Sequence, residues 1–527
     1  MRQRQSALAK ALGLAPGLML MLAALGLLAG PTARADSGGV PVFTSGVASG
    51  DVTRTSAILW TRIDRDTNVK VEVWSNPALA GKKAFQQTVP HASAAHDFTV
   101  KIDATNLNPA TSYFFRFKHD DFDGASFSDV GTFRTAPDPS AAVDVRATYT
   151  GDADGTRLPG GAPAFNDFEV LEAARLEGGD FFVFDGDTIY ADSSFRTTGP
   201  ATTLAEYHAA HRENRGYANL RGLLAATSVY ATMDDHEVVN DYDGQSVDPA
   251  RFAAGRQAFL DYYPVRESGL LQDATCAGAP LYRKFRWGSQ AEVFLLDERS
   301  CRSADAAIAC LGDLAPTLPG FVRTSFPFNL FLTPAPPAGC LATILNPART
   351  LLGPVQNAQL RADLLASTAK WKLVVSEEPI QQFHALPYDR WEGYAADRTA
   401  LLVFIQTSGI TGVKFLTTDT HATLQNQVAI DRFVAPAPVA DELVTGPIAT
   451  NTFQTEVLAL AGPTGLFAFN GLLTLDGVDC RNLNTNSYAL VEVAAGAGTV
   501  SLTSKDQNGA AVTDAISAAA CTATHGP

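Results

Sequence analysis

Phe181-Phe182-Val183-Phe184-Asp185-Gly186-Asp187-Thr188-Ile189-Tyr190 is an apolar run of strand length that stops at a loop carrying two aspartates and a tyrosine. Such a run, bounded by turn residues, is the pattern of a strand buried on both faces. In open α/β sheets ligands collect where such strands end. The pattern recurs outward along the chain. Val145 to Tyr149 leads into Gly151-Asp152-Ala153-Asp154, Val229 to Met233 into Asp234-Asp235-His236-Glu237, and Val413 to Leu416 into Asp419-Thr420-His421. One carboxylate at a strand end is commonplace, but four acidic loops with two histidines imply one metal cluster.

Oxygen and imidazole ligands without thiolates suit calcium, magnesium, manganese, ferric iron or zinc. Asp152 and Asp154 point to the same side if both lie in the turn beyond their strand, and Asp187 has two oxygens with which to bridge two cations. Tyr190 requires a strongly Lewis-acidic ion to become a phenolate ligand, because its pKa near ~10 must be overcome. His421, two residues after Asp419, is read as a ligand, and Asn240 and Asp241 as candidates for a second ion's shell. His236, flanked by acids, is expected to be held oriented and protonated, which suits catalysis. Cations about 3.5 to 4 Å apart activate water and clamp a phosphoryl group during in-line displacement. The natural reaction is therefore attack of metal-activated hydroxide on the phosphorus of a phosphomonoester or phosphodiester. Arg212, Arg215 and Arg299 are candidate phosphate clamps. There is no P-loop, and Gly46-Val47-Ala48-Ser49-Gly50 does not meet the Gly-x-Ser-x-Gly pattern of a serine hydrolase.

Residues 1–35 carry Arg2, Arg4 and Lys10, then an apolar stretch from Leu12 to Leu28, then Ala33-Arg34-Ala35 before Asp36. That is the layout of a cleaved signal peptide, with a membrane anchor as the competing reading. The small-residue site favours cleavage, which leaves no transmembrane anchor in the mature chain. Twin-arginine and lipobox patterns are absent, so a periplasmic or secreted protein is expected. The formal charge goes from −15 to −19 when the leader's four cations are removed, which disfavours a nucleic-acid-binding surface. Six cysteines in an exported chain suggest three disulfides, with Cys301–Cys310 and Cys480–Cys521 expected from proximity and from the need to pin the tail.

Residues 40–138 hold short strands of period two, including Val69 to Trp74 and Tyr113 to Phe117, and imply a β-sandwich. Leu107-Asn108-Pro109-Ala110-Thr111-Ser112-Tyr113 resembles the tyrosine corner of a fibronectin type III or immunoglobulin-like module. Residues 143–507 alternate strands with helices, one predicted over Phe165 to Glu177 and another starting at Pro354, in an α/β domain of two packed sheets with outer helices. Residues 508–527 read as a tail. Between Arg302 and Thr350 lies a Pro- and Phe-rich insertion with Phe321, Phe326, Phe328 and Phe331. It is either a cover for the domain or a lip that shapes substrate access or touches lipid.

These residues resemble the alkaline phosphatase D (PhoD-like) family of metallophosphoesterases. The resemblance is carried by Gly46 to Asp51 with Leu59-Trp60-Thr61-Arg62, Gly186-Asp187-Thr188-Ile189-Tyr190-Ala191-Asp192, Asp234 to Val238, Leu281-Tyr282-Arg283, Leu296-Asp297-Glu298-Arg299, Trp371-Lys372, Trp391-Glu392-Gly393-Tyr394 and Thr418 to His421. It implies an αββα metallophosphoesterase sandwich after the β-sandwich module. It further implies ferric iron with calcium, or alternatively manganese, magnesium or zinc. Asp187 would bridge, Tyr190 would bind iron, Asp235, Asp419 and His421 would complete the cluster, and His236 would protonate the leaving alkoxide. Two departures stand out. Asp152-Ala153-Asp154 replaces the family's Ser-Cys pair and is closer to the purple acid phosphatases. Glu377-Glu378 replaces paired glutamines and mildly favours diesters. The alternatives are a phospholipase D-type phosphodiesterase acting on lipid headgroups, with a lipid or polymer substrate, and a non-catalytic cell-surface binding protein with structural metals.

Overall fold

Alternation within the buried strands decides how the layers stack. In the computed structural model, which describes residues 39–121 and 124–526, the strand Phe181–Asp185 is buried throughout. Phe182 and Phe184 face one core with Leu171, Leu220 and Leu223, from the helices Glu169–Leu176 and Ala218–Ala226. Phe181 and Val183 face another, shared with Val293, Leu295, Leu373 and Val375 of a second sheet. Successive side chains leave a strand on opposite faces, so an all-apolar strand must be covered on both. The second sheet repeats the arrangement, with Val374 and Phe415 packing under the helices Pro354–Ala366 and Ala395–Thr407. The layers run helix, sheet, sheet, helix, as the sequence leads one to expect.

The first sheet has nine strands, in the order Thr522–His525, Thr499–Asp506, Ser487–Ala494, Val145–Thr150, Phe181–Asp185, Ser228–Thr232, Phe43–Gly50, Ala57–Ile63 and Thr99–Ala104. The second has seven, in the order Arg283–Trp287, Ala291–Leu295, Trp371–Ser376, Val413–Thr417, Ala435–Val444, Thr423–Asp431 and Val478–Asn482. The last three strands of the first sheet belong to the N-terminal β-sandwich, whose other sheet packs across Val47, Leu59, Val71, Phe115 and Phe117. One face of the sandwich therefore continues into the α/β domain, joined by parallel pairing of Gly50 with Val229. Gly50 is needed there, since a Cβ would lie 2.6 Å from the Val229 carbonyl oxygen and from Pro264. The tyrosine corner is present, with the Asn108 N–H donating to the Tyr113 hydroxyl at 2.8 Å.

Three details differ from the sequence reading. The helix predicted from Phe165 begins only at Glu169, because Phe168 takes a left-handed φ of 62° and buries its ring on Tyr217. Cys301 pairs with Cys276 and Cys310 with Cys340, so the expected Cys301–Cys310 bridge is replaced, while Cys480–Cys521 forms. Cys310 is drawn into a small apolar cluster with Ala306, Cys340 and Ile344, away from Cys301. The segment read as a tail supplies the edge strand Thr522–His525, which pairs with Thr499–Asp506. The leader expected over residues 1–35 and the start at Asp36 lie outside the described residues.

The helix Leu204–Asn214 packs between the sandwich and the α/β domain. Its His211 is buried, its ring stacks on Tyr262 at 5.0 Å, and its Nε2 has no hydrogen-bond partner. Burial, with His208, Arg215 and Arg212 nearby, pushes its pKa well below the usual imidazole range. The unfolded chain binds a proton here below ~6.5 and the folded chain does not. Stability must fall as pH drops through that value, by up to ~1.4 kcal/mol per pH unit. Melting temperatures between about pH 8 and about pH 5 should decline more gently in His211→Gln than in the parent. Parallel declines would refute this assignment.

Candidate metal centre

The strands ending at Thr150, Asp185 and Thr232 are neighbours in the first sheet, and the strand ending at Thr417 lies in the second. Their loops meet at one end of the stacked sheets, where the Thr418 hydroxyl donates to the Asp185 carbonyl at 2.7 Å. Asp152, Asp187, Asp419 and His421 all sit at left-handed φ, between 50° and 66°. Non-glycine residues are uncommon there and such strain gathers at functional sites. Gly186 makes the crowding possible, because a Cβ on it would lie 2.6 Å from the Asp234 Cβ and 2.9 Å from the Glu377 Cγ.

Ligand atoms of Asp152, Asp187 and His421 lie within 4.8 Å of one another, as do those of Asp187, Asp235 and His236. Asp187 belongs to both groups, the position expected of a bridging carboxylate. A third group joins Asp234, Glu378 and Asp419, and a fourth joins Asp235, Asp241 and Asp389. The Tyr190 hydroxyl lies 3.0 Å from His421 Nε2, and its ring stacks on His236 with centroids 3.9 Å apart. Six residues singled out from sequence, Asp152, Asp187, Tyr190, Asp235, His236 and His421, thus converge, and Asp419 stands in the adjoining group.

Asp154 is placed differently. Its oxygens accept from the Thr156 N–H at 3.0 Å and the Ser193 hydroxyl at 2.6 Å. The candidate clamps are engaged elsewhere. Arg212 pairs with Asp97, while Arg215 donates to the Tyr262 carbonyl at 2.5 Å and lies over Trp60. Arg299, fully buried, binds Asp234, Glu378 and Asp389 and answers part of the site's negative charge. Glu377 accepts from the Thr232 hydroxyl at 2.6 Å.

Donor chemistry supports cation binding. Both oxygens of Asp152, Oδ2 of Asp187, Oδ1 of Asp235 and Oε2 of Glu378 are buried without a hydrogen-bond partner. Buried carboxylate oxygens left in that state call for a cation or a proton. Burial, opposed by His421, lifts Asp152 to about 7, and burial with the charges of Asp187 and Asp152 drives Tyr190 well above the usual phenol range. A phenolate at that position therefore requires a strongly charged ion. Burial opposes a charge on His236, but Asp192, Asp187 and Asp235 prevail and hold it protonated well above the usual imidazole range.

Two partners had gone unassigned in the sequence. Asp192 Oδ1 lies 2.5 Å from His236 Nδ1, and its Oδ2 accepts from the Asn240 N–H at 2.8 Å. Glu456 lies 3.0 Å from His421 Nδ1. Asp192 shares a loop with Asp187 and Tyr190, a signal open to reading. Glu456 sits on the apolar helix Phe453–Leu475, where nothing local marks it.

The model of the PhoD-like phosphatase family matches residues 160–499, and that of its N-terminal domain matches residues 30–137. Alkaline phosphatase D of Bacillus subtilis is 30% identical over 421 residues, which cover 74% of this chain and 66% of that protein. The match thus spans about two thirds of the relative's length. A solved PhoD structure superposes with a TM-score of 0.71 at 24% identity, covering 92% of this chain and 89% of that one. A purple acid phosphatase from yellow lupin seeds superposes at 0.54 and 11% identity, covering 93% and 74%, and so shares the fold. With more than half of its length matched by the family model and an acid-and-histidine cluster where both sheets end, the chain belongs to the PhoD-like phosphatases.

Proposed function

We propose that this protein is an exported, metal-dependent phosphoester hydrolase acting on small phosphomonoesters or phosphodiesters. The observation that carries the reading is Asp187, whose carboxylate is shared by two ligand groups with His236 at their edge. Asp152, Asp187, Tyr190 and His421 would hold ferric iron, and Asp187 and Asp235 a calcium ion with Asp419 in the adjoining group, the ions suggested by family resemblance. Such cations supply Lewis acidity, neutralising phosphoryl oxygens and making bound water a better nucleophile. Asp154, which accepts from Ser193 and Thr156 and lines the cavity in front of the cluster, would support the first loop beside the ligands.

His236 supplies the proton. With Nδ1 held by Asp192, its Nε2 faces the cluster and stands ready to protonate a leaving alkoxide. Glu456 does the equivalent for His421, fixing Nδ1 so that Nε2 points toward Tyr190 and Asp152.

The metal-loaded protein should contain iron and show a visible phenolate charge-transfer band, and Tyr190→Phe should bleach it. A colourless, iron-free preparation with full activity would point to manganese, magnesium or zinc. His236→Ala should lower kcat ~10²- to 10⁴-fold with metal content retained. Asp192→Asn should cost about 10- to 100-fold in kcat while KM and metal content hold, and Asp192→Glu should recover part of it. Full turnover in His236→Ala would remove the proton-donor role.

A further inference from the structure

The cavity in front of the metal centre, lined by Tyr190, His236 and His421, has one wall formed by Leu386, Phe453, Val457 and Leu460. The same four residues line a second, open groove between the helix Phe453–Leu475 and the insertion. Every residue lining that groove is apolar, including Phe328, Phe331 and Leu332 from the insertion and Ala461, Ala468 and Leu472 from the helix. The helix is long and apolar enough to cross a membrane by length and composition, yet only a third of its most apolar 18 residues is buried. It breaks at Gly462, with φ 65° followed by Pro463, so Ala461 ends its first half beside the cavity. Glu456, which orients His421, lies one turn before Leu460, so site and groove share one rigid wall.

We propose that the groove binds an aliphatic chain carried by the substrate itself, so that the preferred substrate is an amphiphilic phosphodiester. This rests on the hydrolase reading above. An apolar trough that shares a wall with the candidate phosphoester site offers nothing to a sugar or a charged leaving group, whereas each buried methylene gains from leaving water. The wall of four residues that the two cavities share sets the arrangement, with phosphorus at the cations and the chain along Val457, Ala461 and Leu472.

The test uses the metal-loaded full chain and a series of p-nitrophenyl phosphodiesters whose second ester is methyl, butyl or octyl, below their aggregation concentrations. The value of kcat/KM should rise by up to about fourfold per methylene, the factor equivalent to ~0.8 kcal/mol. Ala461→Trp, which fills the groove, and Phe331→Asp, which places a charge on its exposed rim, should each flatten the octyl-to-methyl ratio. A flat series in the parent overturns the proposal. So does a chain-length gain that survives both variants, or one seen only on vesicles, which would make the insertion a lipid-surface contact instead. Calorimetric titration with octylphosphonate and methylphosphonate separates the two readings. Absent turnover with tighter octyl binding would sink the hydrolase and leave the groove standing.

Discussion

Repulsion among buried carboxylates is the constraint on which the rest of this structure depends. Asp152, Asp185, Asp187, Asp234, Asp235, Glu377 and Glu378 are all buried at the meeting of the two sheets. Removing an ion from water costs several kcal/mol even after relaxation. Arg299 offsets part of this, and backbone donors offset more. The His236 N–H donates to Asp187 at 3.1 Å, and Glu237 accepts from the Thr188 hydroxyl at 2.6 Å and the Asp234 N–H at 2.9 Å. Burial still pushes Asp185, Asp187, Asp234, Glu377 and Glu378 well above the usual carboxylate range. Protons or cations must answer what remains.

The two sheets are fastened to one another at the site end. Tyr149 of the first sheet donates to the Leu443 carbonyl of the second. The Thr232 hydroxyl is within hydrogen-bond distance of both the Leu296 carbonyl, at 2.9 Å, and Glu377. Gly151 lets the first loop lie against the Asp185 carbonyl, where a Cβ would approach to 2.5 Å. Loops that would repel one another if free are held in register by neutral bonds between strand ends. The left-handed residues can persist because their surroundings leave no other path for the chain.

What could be read from sequence followed the reach of local physics. Strand ends carrying Asp152, Asp187, Asp235 and His421 were legible because burial on both faces imposes a continuous apolar run, and the polar residue that stops it is visible. The layered fold was legible for the same reason. Pairings set by three-dimensional proximity were not. Cys276 meets Cys301, and Asp97 binds Arg62 and Arg212, through distances that no spacing encodes. Arg299 looked suited to phosphate because guanidinium matches it, but a guanidinium matches carboxylates equally well and three of them reach it first. Asp154 was read with Asp152 because one residue separates them in the turn beyond the same strand. A left-handed Asp152 turns the chain between them, and Asp154 meets Ser193 and the cavity that Tyr190, His236 and His421 line.

The N-terminal sandwich bears on the site through one helix. Asn214, at the end of Leu204–Asn214, donates to the Ala153 carbonyl at 2.9 Å and the Thr188 carbonyl at 2.8 Å, clamping two ligand loops with one side chain. Gly155 leaves room for it, since a Cβ there would lie 2.1 Å from Asn214 Oδ1. The same helix is tied to the sandwich by Arg212 on Asp97, which Arg62 also binds, and Arg215, one residue beyond it, lies over Trp60. Trp60 in turn donates to the Asp261 carbonyl at 2.7 Å. The sandwich is therefore a buttress that fixes the distance between the loops of Asp152 and Asp187. Loss of its contacts would reach the candidate metal centre by displacing Asn214.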